Sequence, residues 1–521
     1  MLPVHKQKGL LFRIAMIAVM LSSNVLGQTH LDAENPPKII ELIGDQPMTR
    51  VGRPFVVLAT IENPSQATAQ FKVHLNLPRP IEMIKNNARE LSLAPGEKRT
   101  LRWTITAQNP LYEEVRIILT DGSAIVASQS LPVRFLPAMK RTNPPYIPEP
   151  KPVSNKEILV GAHNCPLWEA DQPEMWDQVL YKHPERTPAL GFYAQENPEV
   201  ADWETKWAVE HGVDFFIYCW YRASEGGPVE QHHGSAIHDA FFKSRFQNKI
   251  KFTIMWENQG KDISGVTDED DLLNNLLPFW IANYFTHPSY LKVDNKPLLF
   301  IYVPGPMWGP KRNSLLEDLG SVENVRRALN KMREACRMEG FDGLTILGEC
   351  RKVDADYLQL MKDMGFDYSF AYCWHIPNSP TPQQAIDAQM EYLRKTQELG
   401  ILPQVCTLSQ AWSGWRDEVT IWKIPPIEYE TFLRQAKAFI RKLPQDQLGS
   451  QMVILDNWNE WSEGNYLLPY TEYGFGYLDA IRKVFTDAPA KHIDLIPEDV
   501  GRGGYERAFR EHLAKKRAEE Y

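Results

Sequence analysis

Cysteine is scarce in this 521-residue chain: Cys165, Cys219, Cys336, Cys350, Cys373 and Cys406 are the whole complement. No CxxC pair and no Cys/His grouping has the spacing of a metal site. Most of the six end apolar runs, where a buried thiol behaves as a small hydrophobe, so free buried thiols are expected rather than disulfides. Positive charge is also short. Lys and Arg number 57 against 66 Asp and Glu, for a formal net charge of -9 and a pI of about 5.9. Nothing in that balance favours a nucleic-acid backbone or an anionic membrane surface. Beyond the first 27 residues no uninterrupted apolar run reaches membrane-spanning length. A glycine-rich nucleotide loop is missing as well, which disfavours an open dinucleotide-binding sheet. His163, His232, His233 and His375 have no diagnostic ligand spacing, so neither a metal nor a cofactor is expected.

Flat amphipathic side chains are abundant, with 15 Trp and 20 Tyr. Such residues suit a site whose ligand has apolar faces and polar edges. At the amino terminus Lys6, Lys8 and Arg13 precede the apolar run Ile14–Leu21, and Val25-Leu26-Gly27 closes the segment. That pattern reads as a signal peptide over residues 1–27, giving a secreted or periplasmic protein with no membrane attachment after cleavage.

Residues 35–137 alternate with period two. Phe71, Val73, Leu75 and Leu77 alternate with polar residues, as do Leu101, Trp103, Ile105 and Ala107, then Val115, Ile117 and Leu119. Turn signals at Glu62-Asn63-Pro64-Ser65, Ala94-Pro95-Gly96 and Asp121-Gly122 separate the runs, and the whole predicts a small immunoglobulin-like β-sandwich. A proline-rich linker, residues 138–156, reads as a stiff spacer. From residue 157 to 490 the period changes. Apolar runs recur at Ile158–Ala162, Val213–Trp220, Phe252–Trp256, Leu298–Tyr302, Leu344–Leu347, Tyr368–Tyr372, Gln404–Leu408 and Met452–Trp458. Helices lie between them, one bracketed by Asn197-Pro198 and Gly212, another by Thr381-Pro382 and Gly400. Eight strands alternating with helices predict an α/β protein, a (β/α)8 TIM barrel. Residues 491–521 form a charged tail, expected to be solvated.

In such a barrel the reactive groups gather at the carboxyl ends of the strands. Those ends supply His163, then Tyr218, Trp220 and Tyr221, then Trp256, Glu257 and Asn258. Further along come Tyr302, Glu349, Tyr372, Trp374, His375 and Trp412. Tyr193, in the stretch GFYAQENPEV, is grouped with them. The eighth run ends in ILDNWNEWSEGNYLLP, which sets Trp458, Asn459 and Trp461 around two carboxylates, Glu460 and Glu463. Aromatic faces with carboxylates and amides beside them suit a sugar, whose C–H patches pack on rings and whose hydroxyls need partners. Cleaving a glycosidic bond needs a proton donor and a second carboxylate, and Glu460 and Glu463 are the first candidates, with Glu257 and Glu349 in reserve. If the chain rolls into a helical turn there, positions i and i+3 share a face and their pKa values are driven apart.

NWNEWSEGNYLLP with the following YGFGYLDAIRKVF, and the block GFYAQENPEVADWETKWAVEHGVDFFIYCWY, resemble the WbsX-like proteins, relatives of glycoside hydrolase family 99, the endo-α-mannosidases. The resemblance covers roughly residues 157–485 and implies a (β/α)8 barrel acting on a polysaccharide or glycan. It further implies Glu460 as a base on the sugar 2-hydroxyl, Glu463 as acid/base at the departing oxygen, a 1,2-anhydro intermediate and net retention. Where those relatives carry an acidic residue before the closing proline, this chain has Leu468-Pro469. A secreted glycoside hydrolase is therefore the leading expectation. The alternatives are a non-catalytic carbohydrate-binding protein and a glycosyltransferase of polysaccharide biosynthesis.

Overall fold

The computed structural model describes residues 31, 34–85, 89–153, 157–223, 226–259, 264–307, 313–414, 421–489 and 491–519; the expected signal peptide lies outside them. The amino-terminal part is a two-sheet sandwich. One sheet joins Lys38–Gly44, Phe55–Glu62, Lys98–Ala107 and Ile81–Met83, and the other joins Thr49–Arg50, Ala124–Leu136, Leu111–Asp121, Ala69–Asn76 and Arg89–Leu93. The period-two pattern is the cause. In Ala69–Asn76 every second side chain is buried, and Phe71, Val73 and Leu75 meet Trp103 and Ile105 in the sandwich core.

The carboxyl-terminal part contains eight parallel strands: β1 (Leu159–Asn164), β2 (Phe215–Arg222), β3 (Lys251–Trp256), β4 (Lys296–Ile301), β5 (Thr345–Glu349), β6 (Tyr368–Phe370), β7 (Cys406–Leu408) and β8 (Met452–Leu455). They hydrogen-bond in the order β6-β5-β4-β3-β2-β1-β8-β7. A parallel bridge between Ser369 and Gln404, with the Val405 N–H donating to the Ser369 carbonyl at 2.8 Å, brings β6 and β7 together. This is the (β/α)8 barrel, and each of the eight expected runs forms a strand. Helices fall where the punctuation put them. Asn197 caps α1 (Pro198–Glu210) through the Glu199 N–H, and a Thr381/Gln384 capping box opens α2 (Pro382–Leu399), which ends on left-handed Gly400.

Alternation along the strands divides the barrel into two apolar layers. Phe215, Ile217, Cys219, Met255, Phe300, Tyr302, Leu347, Phe370 and Ile454 fill the interior. Phe216, Tyr218, Trp220, Ile254, Trp256, Ile301 and Leu455 pack outward against the helices. All six cysteines are free and buried, as expected. No helix among the described residues is long and apolar enough to cross a membrane.

Two expectations change. The charged tail is not solvated: α3 (Arg507–Glu519) buries Phe509 and Leu513 against the barrel, while Arg517 pairs with Glu41 of the sandwich at 2.6 Å and Lys516 with Asp177 of the barrel at 2.9 Å. The proline-rich segment, expected as a stiff spacer, is also packed against the barrel. Tyr146 donates to Asp202 at 2.6 Å and lies under the Arg245 guanidinium, and Ile147 is buried. Prolines removed its conformational freedom, and apolar residues among them gave it a surface to bind.

The sandwich is locked to the carboxyl-terminal segment that follows the barrel by Arg50, whose Nε donates to buried Asp499 at 3.0 Å and whose Nη2 reaches the Asp494 carbonyl. Removing one partner strands the other charge. Asp499→Ala should cost about 3 kcal/mol in denaturant unfolding of the sandwich-to-barrel junction, whereas a surface change such as Arg507→Ala should leave the midpoint unmoved.

Candidate active site

Strand β8 stops at Leu455, three residues earlier than its apolar run suggested, because Asn457 adopts a left-handed backbone (φ 38°) and turns the chain. The helical turn expected for Glu460 and Glu463 is not formed. Asn459-Glu460 pairs antiparallel with Asn465-Tyr466, and residues 461–464 make the turn of a short hairpin. Gly464 closes that turn at φ 79°. A Cβ there would lie 2.1 Å from the Ser413 hydroxyl, so both the backbone and the space demand glycine.

The hairpin is held from behind by residues that do not face the barrel axis. Asn459 accepts from the Cys165 N–H at 2.6 Å and donates to the Asn164 side chain at 3.2 Å, and its carbonyl accepts from the Trp168 indole at 3.0 Å. Tyr193 places its hydroxyl 3.4 Å from both the Asn459 amide and the Trp461 indole. Trp461 stacks on Tyr466 and Trp458 packs on Phe216, both fully buried in the helical layer. Asn459, Tyr193, Trp458 and Trp461 are thus supports for the hairpin rather than walls of the mouth.

Other expected aromatics also turn away. Tyr218 packs on Phe241 and Phe252, Trp220 donates to Tyr284 at 2.9 Å, and Trp256 donates to the Ser264 carbonyl at 2.7 Å against Trp280. Neighbours on a strand cannot both face the axis, so Tyr221 and Glu257 point in while Trp220 and Trp256 point out. Trp374 lies past the end of β6 and folds back, donating to the Thr407 carbonyl. Asn258 is spent on Val303, accepting its N–H at 2.8 Å and donating to its carbonyl at 2.9 Å.

What remains at the mouth is a compact polar cup. Glu460, 4% exposed, accepts from the Tyr372 hydroxyl at 3.2 Å and from the Ser462 hydroxyl at 2.7 Å. Glu463, 8% exposed, has its carboxyl held well above the ordinary range, first by burial and next by the charge of Glu460, with Asp456 and Glu257 adding to the push. Arg351 works against that shift. Its guanidinium pairs with Glu349, donates to the Tyr302 hydroxyl at 3.0 Å and to His375 Nε2 at 2.9 Å, and lies over the Tyr302 and Tyr372 rings. Burial and Arg351 together hold His375 down to about 3, so it is a neutral imidazole, stacked on Trp412 at 4.2 Å. His163, under the Tyr372 ring at 4.9 Å, is likewise pushed down to about 3 by burial, which leaves it no acid role at neutral pH. Asp456, pushed up to about 7 by burial, accepts from Asn457 and Asn465 at 2.6 and 3.0 Å.

The structure therefore brings together Glu460, Glu463, Glu257, Glu349, Tyr221, Tyr302, Tyr372, His163, His375 and Trp412. Sequence reasoning missed Arg351, Asp456, Ser462 and Cys165. Three of these were within reach of the period-two rule: Arg351 stands two residues after Glu349, Asp456 two after Ile454, and Cys165 two after His163. No described residue of the cup forms a group of metal-binding spacing. The loop carrying His232 and His233 adds a short strand to β2, and His233 is anchored on Glu169 at 2.7 Å.

Behind the hairpin, Glu204 on α1 is buried beside the Trp458 indole and the Asn164 amide, and burial pushes it up to about 8. An acid raised in the folded state stabilises the protein below its ordinary value and loses that contribution as pH climbs from 4.5 to about 8. Thermal melts of Glu204→Gln should show a smaller fall between pH 5 and 8 than the wild type. At the mouth, the carbonyl stretch of a protonated Glu463 should persist at pH 7 in infrared difference spectra. In Glu460→Gln it should titrate at lower pH, since the neighbouring negative charge is gone.

A family model described as "Glycosyltransferase WbsX" matches residues 179–420 and 413–481. The uncharacterized protein WxcX of Xanthomonas campestris pv. campestris, in strains B100 and ATCC 33913, is 25% identical over 334 residues, covering 58% of this chain and 44% of its own length. The chain thus spans less than half the length of these curated relatives. Among solved structures, a GH99 endo-alpha-mannosidase from Bacteroides thetaiotaomicron overlaps 68% of this chain and 98% of its own at 12% identity and a TM-score of 0.40. A Bacteroides uniformis beta-glucuronidase overlaps 88% of this chain and 51% of its own at 12% identity and a TM-score of 0.35. The barrel assignment rests on strand order and register, not on these overlaps. The matched family segments run over more than half of the sequence and include the hairpin that carries both glutamates, so the chain belongs to the WbsX glycosyltransferase family.

Proposed function

We propose that this protein is an exported glycoside hydrolase that cleaves a glycosidic bond in a polysaccharide or glycan, with Glu463 as acid/base and Glu460 as its partner carboxylate. One observation carries the reading: at the carboxyl end of the barrel a buried, raised carboxyl stands beside a second one that accepts hydrogen bonds from two hydroxyls. One group is built to give a proton and the other to take one. Tyr221, Tyr302, Tyr372 and Trp412 supply faces for sugar C–H patches, and Arg351 holds Tyr302 and Glu349 in place.

In the mechanism that the motif's resemblance to family 99 implies, Glu460 takes the proton of the sugar 2-hydroxyl as O2 closes on the anomeric carbon. The bond to the leaving oxygen breaks, and Glu463 protonates that oxygen. Glu463 then deprotonates a water that opens the 1,2-anhydro ring at the anomeric carbon, Glu460 returns the proton to O2, and configuration is retained. Such internal attack needs the 2-hydroxyl trans to the departing group, as in an α-mannoside. Export is inferred from residues 1–27, and the sandwich is assigned to the immunoglobulin type on its alternating strands.

The family description favours a second reading, glycosyl transfer. Charge weighs against a sugar nucleotide there: among the described residues the cup holds Glu257, Glu349, Asp456, Glu460 and Glu463 around Arg351, a poor reception for a diphosphate. Purified protein incubated with a polysaccharide panel is expected to release reducing ends without any nucleotide sugar. Glu463→Gln should lose roughly 10²–10⁴-fold in kcat on native linkages and markedly less on activated aryl glycosides, which need no proton. Glu460→Gln should fail on both. Turnover that depends on a nucleotide sugar, or equal losses of Glu463→Gln on both substrate types, would remove the assignment; glycan binding without turnover would leave only a binding module.

A further inference from the structure

Apart from the hairpin, a second cluster of buried polar atoms lies at the junction of α1, the barrel's last helix and the carboxyl-terminal segment. His211, directly after α1, is fully buried, and its Nδ1 lies 2.7 Å from the Trp207 carbonyl. A carbonyl only accepts, so Nδ1 carries the proton and, in the neutral ring, Nε2 presents a bare lone pair. That lone pair faces Asp494 Oδ1 at 3.3 Å, and His492 Nε2 faces the same oxygen at 3.3 Å. His211 Nε2, His492 Nε2 and Asp494 Oδ1 are all buried, and among the described residues none has a partner in hydrogen-bonding geometry.

We infer that His211, His492 and Asp494 form a binding site for a divalent transition-metal ion, Zn²⁺ foremost, that staples the carboxyl-terminal segment to α1. Three donors converge within 4.8 Å of one another, which is the set and the spread that one ion requires. Bonds of ~2.0–2.1 Å to a tetrahedral ion place neighbouring donors about 3.3 Å apart, the spacing of both His–Asp pairs. The Trp207 carbonyl on His211 Nδ1 is the outer hydrogen bond that orients a ligating imidazole. Glu210 Oε2, 3.5 Å from His492 Nε2, adds negative charge beside the three donors; the other oxygen of Glu210 is taken by Lys206 at 2.6 Å and the Lys151 N–H at 3.0 Å. Asp479 Oδ1, 3.9 Å from His211 Nε2, adds negative charge. Entry is open through a cavity of about 310 Å³ between sandwich and barrel, lined by Asp479, His492 and Asp494 on one side and by Arg134 and Leu136 on the other.

The test uses the full chain, stripped with chelator and titrated with Zn²⁺ and then Co²⁺ by calorimetry, with metal content read by mass spectrometry and stability by thermal melting. One Zn²⁺ per chain at micromolar affinity or better is expected, together with a melting midpoint raised by a few degrees. His492→Ala and Asp494→Asn should each lose the stoichiometric ion and the midpoint shift, while Glu257→Gln at the barrel mouth keeps both. His492 is partly exposed, so its replacement tests the site without emptying the core. Absence of binding tighter than millimolar would overturn the assignment in favour of an imidazolium–carboxylate cluster. Full binding retained by His492→Ala and Asp494→Asn would overturn it equally.

Discussion

Two carboxyl groups cannot be buried side by side in one cup and both stay charged. The cost of removing each charge from water, added to their repulsion, favours the neutral form, and the Glu463 carboxyl is held well above its ordinary range. Everything around the pair follows from that constraint. The Tyr372 and Ser462 hydroxyls give Glu460 donors that a carboxylate needs once water is gone, and Arg351 offsets part of the surplus negative charge. Both histidines nearest the cup stay neutral for the same electrostatic reason, since burial and Arg351 oppose a second cation. The raised pKa of Glu463 is therefore a property of the enclosure, not of glutamate.

Holding such a pair in register requires a rigid support, and the support is apolar. Trp458 and Trp461 are anchors whose rings sink into the helical layer on either side of Glu460, so the backbone between them has little freedom. Asn459 ties that backbone to the end of β1 through Cys165 and Asn164, and Gly464 lets the turn close tightly on Ser413. The motif's aromatic residues thus act one step removed from the cup: they position the carboxylates, while tyrosines from other strands face it.

The same economy joins the modules. The sandwich, the proline-rich segment and α3 are not independent attachments, because Arg50–Asp499, Tyr146–Asp202 and Arg517–Glu41 connect each to a different part of the chain. A helix with so many charges reads as solvated when its partners are unknown. Opposite its charges stand Glu41 and Asp177, and beneath it lie the pockets for Phe509 and Leu513.

Much of the architecture was legible in the residue pattern, because periodicity and punctuation are local. Alternation marked the sandwich, eight apolar runs marked the barrel strands, and Asn197, Thr381 and Gly400 marked helix ends where backbone groups need partners. Glu460 and Glu463 stood out because charge at the end of a core strand has no structural use. The sequence alone determined these elements and this pair of acids. Which side chains share a space was decided only by the closed barrel. Strand alternation sent Tyr218, Trp220 and Trp256 to the helices, and closure of the barrel brought Arg351 and Glu257 from strands distant in the chain to Glu463 and Asp456. Burial, and with it the state of every proton in the cup, exists only once the strands have closed around it, since desolvation is a property of the enclosure rather than of any residue.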